Sequence, residues 1–462
     1  MDVRPRILAR WLPVGIATLA LAPAARADTI DQTATGLRWY DETQAAVTAS
    51  GQAQQAVQNR IWAVSWLAAD RAVGDGQSTP FRVSAFATAL HDSLATLVPA
   101  RQPQLDAALA ATLATLPPGR ERDRGIRAGH AEAAAVLAER AGDGLATDAQ
   151  INVAWTPPPP APGVWQPTPP AFGPAIRAGL PTARSFLLDS NREFRVGPPP
   201  ALSSPRYLAA LREVRAVGSA TSAVRTAEQT DVANFVAAPS IDIFAQVLRQ
   251  AISAAHRPLD WQTRLVAAFN AIQIDQQIAI YDSKYTYVFW RPVTAIRIGS
   301  VDPDPTWTPL IATPSHPEYP SGHAGYAATA ETVLRALAGP APSRPITITS
   351  ATLPGKPRTY RDWHTLTQET IDGRVWEGVH FRFSDDTGAR VGREVAEHDL
   401  HRLGRTTCSP IRRTAACATR SLIPITRTSR PLGKAFPRTG HTRPWRAVST
   451  STTPRARRGR FP

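Results

Sequence analysis

Three short stretches of this sequence hold residues that could do chemistry together. The first, His316-Pro317-Glu318-Tyr319-Pro320-Ser321-Gly322-His323, leads straight into the Ala-rich run from Ala324 to Leu337. Ser321 stands where a helix N-cap belongs, after a proline and before residues at helical spacing. A helix N-terminus leaves its first N–H groups unpaired and carries partial positive charge. The Ser321 hydroxyl, the Gly322 N–H and the His323 imidazole would there offer donors and a titratable group to one tetrahedral oxyanion. A plain helix cap followed by an incidental histidine would use the same residues. Upstream, Lys284 and Arg291 lie seven apart, two turns along one face of a continuous helix. Two cations on a buried face are costly unless an anion meets them. Downstream, Arg374 and His380 are six apart, which does not place them on one helix face. They converge only if the chain around Gly378 is irregular.

The elements that must position these residues read as helices. Apolar residues at helical spacing cover 36–75, with Trp39, Tyr40, Ile61, Trp62, Val64, Trp66 and Leu67 as the buried face. Further helices are expected at 81–99, 104–116, 122–141, 205–216, 219–237, 240–254 and 258–290, punctuated by Pro and Gly. The stretch from Leu265 to Trp290 is apolar and aromatic around most of its circumference and should be central. Residues 345–371 read as loop with some β-prone positions, and a last helix as running from about Gly388 to Leu400. The Pro-rich stretch 155–175 has the composition of an extended linker. It also carries Trp155, Val164, Trp165 and Phe172, so it reads as an ordered strap across a helical body.

Composition narrows the function. The net charge is +15, yet residues 401–462 hold 15 Lys+Arg and no Asp or Glu, leaving 37 basic against 37 acidic residues in the first 400. The main body is neutral, so nothing in it argues for nucleic-acid binding. The basic tail, 401–462, reads as disordered. Both cysteines, Cys408 and Cys417, lie in that tail, so no disulfide framework supports the 28–400 domain. The first 27 residues read as a secretory signal: Arg4, Arg6 and Arg10, an apolar run from Trp11 to Ala22, then Ala25-Arg26-Ala27. No other stretch approaches the length of a membrane span. The expectation is an exported protein with no membrane span, helical throughout.

Taken in order, Lys284-x6-Arg291-Pro292, Pro320-Ser321-Gly322-His323 and Arg374-x5-His380 resemble the signature of the vanadium-dependent haloperoxidases and the related acid phosphatases of the type 2 phosphatidic acid phosphatase superfamily. The resemblance takes in the strap Gly163-Val164-Trp165-Gln166-Pro167-Thr168-Pro169-Pro170 and is closest to the exported bacterial branch, over roughly residues 35–398. It implies an all-α fold of helical bundles. It implies that Lys284, Arg291 and Arg374 neutralise the oxygens of vanadate or phosphate, with Ser321 and the Gly322 N–H donating to the same oxyanion. His323 would be the acid–base residue. His380 would be the ligand to vanadium, or the nucleophile on phosphorus in a phosphatase. Gly373 stands where the third family motif usually has serine. His316, five residues before Ser321, falls where the family's residue bears on the halide, and histidine there leans towards bromide. Tyr281, one turn before Lys284, falls where an aromatic wall is expected.

Three functions follow from this resemblance. The first is a vanadate-dependent peroxidase that uses hydrogen peroxide to oxidise halide for a small organic acceptor. The second is an exported acid phosphatase with a phosphohistidine at His380. The third is a non-catalytic exported protein that keeps the phosphate pocket.

Overall fold

The computed structural model describes residues 30–406. The expected signal segment and the tail beyond residue 406 lie outside the described residues. The chain opens with α1 (Gln32–Ala49), α2 (Gln55–Val73), α3 (Thr79–Leu97), α4 (Gln102–Ala114), α5 (Arg120–Glu139) and a single turn, α6 (Asp148–Ile151). After the strap come α7 (Pro205–Val217), α8 (Ala227–Val236), α9 (Ser240–Ala255), α10 (Leu259–Tyr287), α11 (Pro292–Ile298) and α12 (Gly322–Leu337). The strands β1 (Ile346–Ile348) and β2 (Arg358–Tyr360) pair antiparallel, Ile346 opposite Tyr360, and α13 (Trp363–Trp376) and α14 (Arg382–Thr406) follow. The fold is all-α, as the sequence predicts. No single described helix is long and apolar enough to cross a membrane; α8 and α9 pass that test only as a pair, bent by 87°.

Local chemistry sets the helix ends. Ser78 and Ser204 accept from Phe81 N and Tyr207 N ahead of α3 and α7, each with a proline in its first turn. Thr226 and Gln229 form a reciprocal capping box on α8. The helical spacing over 36–75 is shared by two helices, and the chain turns between them at Gly51, in the left-handed region at φ 65°. Trp39, Tyr40, Ile61, Trp62, Val64 and Trp66 are buried as expected, and Leu67 packs partly buried against them. The span 345–371 is only partly loop. Asp362 caps the Thr365 N–H and starts α13 at Trp363, where apolar spacing is weak. The last helix likewise begins earlier than Gly388, at Arg382, and runs past Leu400.

α10 runs through the centre of the protein and is buried from Leu265 to Lys284 without interruption. Its circumference is less apolar than expected, since Asn270, Gln273, Asp275, Gln276 and Gln277 are all buried. Several of these tie helices together: Asn59 donates to Asn270, and Gln273 donates to the Tyr326 carbonyl. α10 ends at Tyr287, not Trp290. Val288 takes a left-handed conformation at φ 47°, and its N–H closes the last turn onto the Lys284 carbonyl at 2.8 Å. Pro292 lacks an N–H and forces the residue before it into an extended conformation. Arg291 is therefore extended, at φ −82° and ψ 156°, and caps α11. The two cations are not two turns apart on one helix; they lie either side of the end of α10.

The strap is ordered as expected. Trp165 is fully buried, its N–H donates to the Val288 carbonyl at 2.7 Å, and the Trp290 N–H donates to the Gly163 carbonyl at 2.9 Å. It clamps the residues that carry Arg291. Phe172, by contrast, is exposed.

α12 and α14 pack backbone to backbone. A Cβ added at Gly388 would come within 2.2 Å of the Ser321 carbonyl oxygen and within about van der Waals overlap of its N and C atoms. At Gly392 it would meet the Gly325 carbonyl at 2.2 Å. Neither obstacle is a flexible side chain. Gly388→Ala should therefore lower stability by about 1–3 kcal/mol, read as a fall in the denaturant midpoint against the parent protein.

Candidate active site

Ser321 is the N-cap residue of α12 in position, at φ −70° and ψ 128°, but its side chain makes no capping hydrogen bond. Its Oγ is buried without a hydrogen-bond partner, as are His323 Nε2 and Arg374 Nε. A buried polar atom without a partner is uncommon and marks a place where a ligand belongs. Next to them, a Cβ on Gly322 would meet nothing within 4 Å. The plain-cap alternative fails here, because the serine hydroxyl is not used for capping.

The three cations surround this space. Lys284 is fully buried, and its Nζ donates to the carbonyls of Pro317 at 2.9 Å and Glu318 at 2.8 Å. Burial, and then the neighbouring Arg291, hold its pKa well below the usual lysine value. Arg291, also fully buried, donates from Nε to the His316 carbonyl at 3.0 Å and from Nη1 to the Val379 carbonyl at 2.9 Å. Burial lowers it to about 10. Arg374 comes from α13 and pairs with Glu377 one turn on, Nη1 to Oε2 at 2.5 Å.

His380 reaches the same space because α13 stops at Trp376 and Gly378 turns at φ 80°. The irregularity that the six-residue spacing requires is present. His380 Nδ1 lies 2.7 Å from Glu318 Oε1, which also accepts the Phe381 N–H at 3.0 Å. Its Nε2 lies 3.3 Å from Arg291 Nη1. An arginine can only donate, so Nε2 is the acceptor and Nδ1 carries the proton held by Glu318. The ring thus presents a lone pair to the pocket. Burial and the cations Arg291, Lys284 and Arg374 keep His380 far below the usual histidine pKa. Burial and Arg374 do the same for half-buried His323. Both are neutral at pH 7.

His316 does not face solvent. It is buried, with Nδ1 accepting from Arg291 Nη2 at 3.0 Å and its ring edge-on to Tyr281 at 5.3 Å. Of the residues singled out in the sequence, Arg291 meets both His316 and His380, and the charges of Lys284 and Arg374 are felt at both His323 and His380, so the three motifs converge.

Four further residues shape the pocket and escaped the sequence reading. Glu318 lies inside the first motif but between prolines and residues of more obvious chemistry. Glu377 sits three after Arg374, a spacing that pairs charges on a helix and could have flagged it. Asp385 sits in the first turn of α14 beside Ser321, and Arg177 arrives from the far end of the strap; no local pattern marks either one. Burial raises Glu318 and Glu377 to about 7, against the pull of Arg291 and Arg374 respectively. Burial also raises Asp385 well above the usual carboxylate range. Burial draws these carboxyls and Lys284 alike towards their neutral forms, while Arg291, lowered only to about 10, keeps its charge, which suits an oxyanion.

Residues 264–407 match the family of the VCPO second helical-bundle domain. The whole fold is similar to a bacterial vanadium-dependent iodoperoxidase, with a TM-score of 0.65 and 21% identity over 81% of this chain and 97% of that one. It is also similar to a holo-type bacterial vanadium-dependent chloroperoxidase, with a TM-score of 0.57 and 19% identity over 76% of this chain and 92% of the other. Residues 264–407 thus carry this family's domain, within a chain whose fold is that of these bacterial haloperoxidase structures. No curated protein matches it in sequence. The matched domain contains every oxyanion-facing residue named above, while Arg177 lies outside it.

The residues present fit a vanadate or phosphate ion: three buried cations, unpartnered donors at Ser321 and Arg374, open space at Gly322 and one imidazole lone pair. The Gly373 departure has a steric reason. A Cβ at Gly373 would meet Val236 Cγ2 at 2.4 Å. Gly373→Ser should destabilise by about 1–3 kcal/mol, and adding Val236→Ala should recover most of the loss in the same unfolding measurement. The Glu318–His380 contact yields a second expectation. Partners that orient a ligating histidine typically matter about 10–100-fold in affinity. Glu318→Ala should weaken vanadate binding by about that factor in a titration, and Glu318→Gln, which keeps the accepting oxygen, should restore most of it.

Proposed function

We propose that this enzyme is a vanadate-dependent haloperoxidase that uses hydrogen peroxide to oxidise halide, bromide in preference, to a hypohalous acid equivalent for a small organic acceptor. The observation that carries this reading is the convergence of Lys284, Arg291 and Arg374 with unpartnered Ser321, His323 and the free face of His380 on one buried pocket. Lys284, Arg291 and Arg374 would offset the charge on the oxygens of vanadate, and the Ser321 hydroxyl and Gly322 N–H would donate to them. His380 Nε2 would hold the central atom, with Glu318 fixing the tautomer. When bound, vanadate supplies a Lewis acid that polarises hydrogen peroxide towards halide. His323, kept neutral, can take a proton from peroxide at Nε2 and pass it to the oxygen that leaves as water. The preference for bromide rests on His316, buried beside Arg291. An exported location rests on the first 27 residues.

A phosphatase reading draws on one specific feature. A carboxylate–imidazole pair with an open Nε2 is also the arrangement of an activated histidine nucleophile. The two are separated by one set of assays. Protein loaded with vanadate should brominate a phenolic dye with peroxide, and His380→Ala should lose both vanadate binding and bromination. Full vanadate occupancy without halide oxidation from about pH 4 to about pH 8 would contradict the peroxidase reading. Hydrolysis of p-nitrophenyl phosphate by the vanadate-free protein, inhibited by vanadate, would then favour the phosphatase.

A further inference from the structure

Asp275 and Asp399 are two fully buried carboxyls that the oxyanion pocket does not use. Asp275 lies on α10 and Asp399 near the far end of α14. Both oxygens of Asp275 accept from the backbone: the Phe186 N–H reaches Oδ1 and the Leu187 N–H reaches Oδ2, each at 2.6 Å. On Asp399, Oδ1 meets His398 Nδ1 at 2.9 Å, while Oδ2 is buried with no donor in reach. The side chain that Asp399 does meet is the Asp275 carboxyl. Two carboxylates offer only acceptors, so they bond to one another only when one of them carries a proton. Asp275 already accepts two N–H groups, which makes Asp399 the proton's holder.

The charges around the pair do not replace that proton. Arg140 faces Asp275 from the end of α5, but its Nε pairs with Asp143 at 3.1 Å and its Nη atoms donate to the Ser185 and Arg184 carbonyls. On α14, Arg402 pairs with Asp189. Glu193 adds further negative charge from the segment after the strap. Burial, and then Asp275, push the Asp399 carboxyl up to about 9, and burial raises Asp275 as well despite its two N–H donors.

The pair sits where three parts of the chain meet. The segment bonded through Phe186 and Leu187 continues along α10: Arg195 pairs with Asp282 at 2.6 Å, and the Tyr287 hydroxyl donates to the Val196 carbonyl at 2.5 Å. α14 begins against the oxyanion pocket, where the Ser321 N–H donates to the Ser384 carbonyl at 3.1 Å, and Asp399 ties its far end to α10.

We propose that Asp275 and Asp399 share one proton and form a pH-sensitive clasp, which holds the far half of α14 against α10 and is released in alkaline solution. The folded protein holds this proton more tightly than the unfolded chain does. The clasp therefore contributes stability that is fully present below the ordinary aspartate pKa, about 4, and is lost as the pH rises through about 9. Asp399→Asn tests it, because an amide keeps an oxygen for His398, donates an N–H to Asp275 and does not titrate. Glu318, Glu377 and Asp385 titrate in the same direction in both proteins and cancel in the comparison. In urea, the unfolding constant of the parent should rise with pH more steeply than that of the variant, by up to about tenfold per pH unit between about pH 5 and about pH 9. In the parent alone, hydrogen exchange should show the amides from Val395 to Leu400 losing protection relative to α3 above about pH 9. If Asp399→Asn does not fold, the exchange measurement decides. Parallel pH dependence in parent and variant, or α14 amides that keep their protection relative to α3 up to about pH 10, overturns the proposal.

Discussion

Lys284 and Arg291 are buried against backbone carbonyls rather than against carboxylates. That choice governs the rest of the molecule. A carbonyl satisfies a donor but cancels no charge, so each cation keeps a cost of burial that only a nearby anion can offset. The carboxyls that do lie close, Glu318, Glu377 and Asp385, are all pushed by burial towards their neutral forms. The protein therefore holds positive charge, on Arg291 above all, that these carboxyls offset only in part. An oxyanion with several charged oxygens completes the set. The geometry of α10, its abrupt end at Tyr287 and the strap clamped over Val288 to Trp290 are what keep these cations in place without a counter-ion.

The same pocket sorts its histidines by their partners. His380 is turned by Glu318 so that Nε2 faces the cations as an acceptor. His316 sets its Nδ1 between Arg291 Nη2 at 3.0 Å and the Pro317 carbonyl at 3.1 Å. His323 stands at the start of α12 with an unpartnered Nε2. All three are kept neutral by burial and by the cations around them. They differ in what they can do because His380 turns a lone pair to the cations, His323 leaves Nε2 unpartnered and His316 is tied to Arg291 and the backbone.

The order and type of the chemical residues were legible in the sequence because each motif is local. Ser321-Gly322-His323 needs only a helix start, and Pro292 fixes the extended Arg291 by itself. The six-residue spacing of Arg374 and His380 even stated the condition for its use, an irregular Gly378. What could not be read depends on contacts between distant segments. Gly373 is glycine because Val236, on α8, fills the space a serine would need. Glu318 matters only because it meets a histidine 62 residues later. Arg177 matters only because the strap brings it back over Tyr281, 104 residues downstream. Helix boundaries failed where a side-chain cap such as Asp362, rather than apolar spacing, starts the element.

The central claim is that the surplus charge of Lys284, Arg291 and Arg374 exists to hold an oxyanion in line with His380. A crystal structure of the protein soaked in orthovanadate tests it most directly. The account predicts vanadium within bonding distance of His380 Nε2, about 2 Å for an imidazole nitrogen on a metal, with its oxygens on the three cations, Ser321 and the Gly322 N–H. Vanadate bound elsewhere, or in the pocket but turned away from His380, would contradict it.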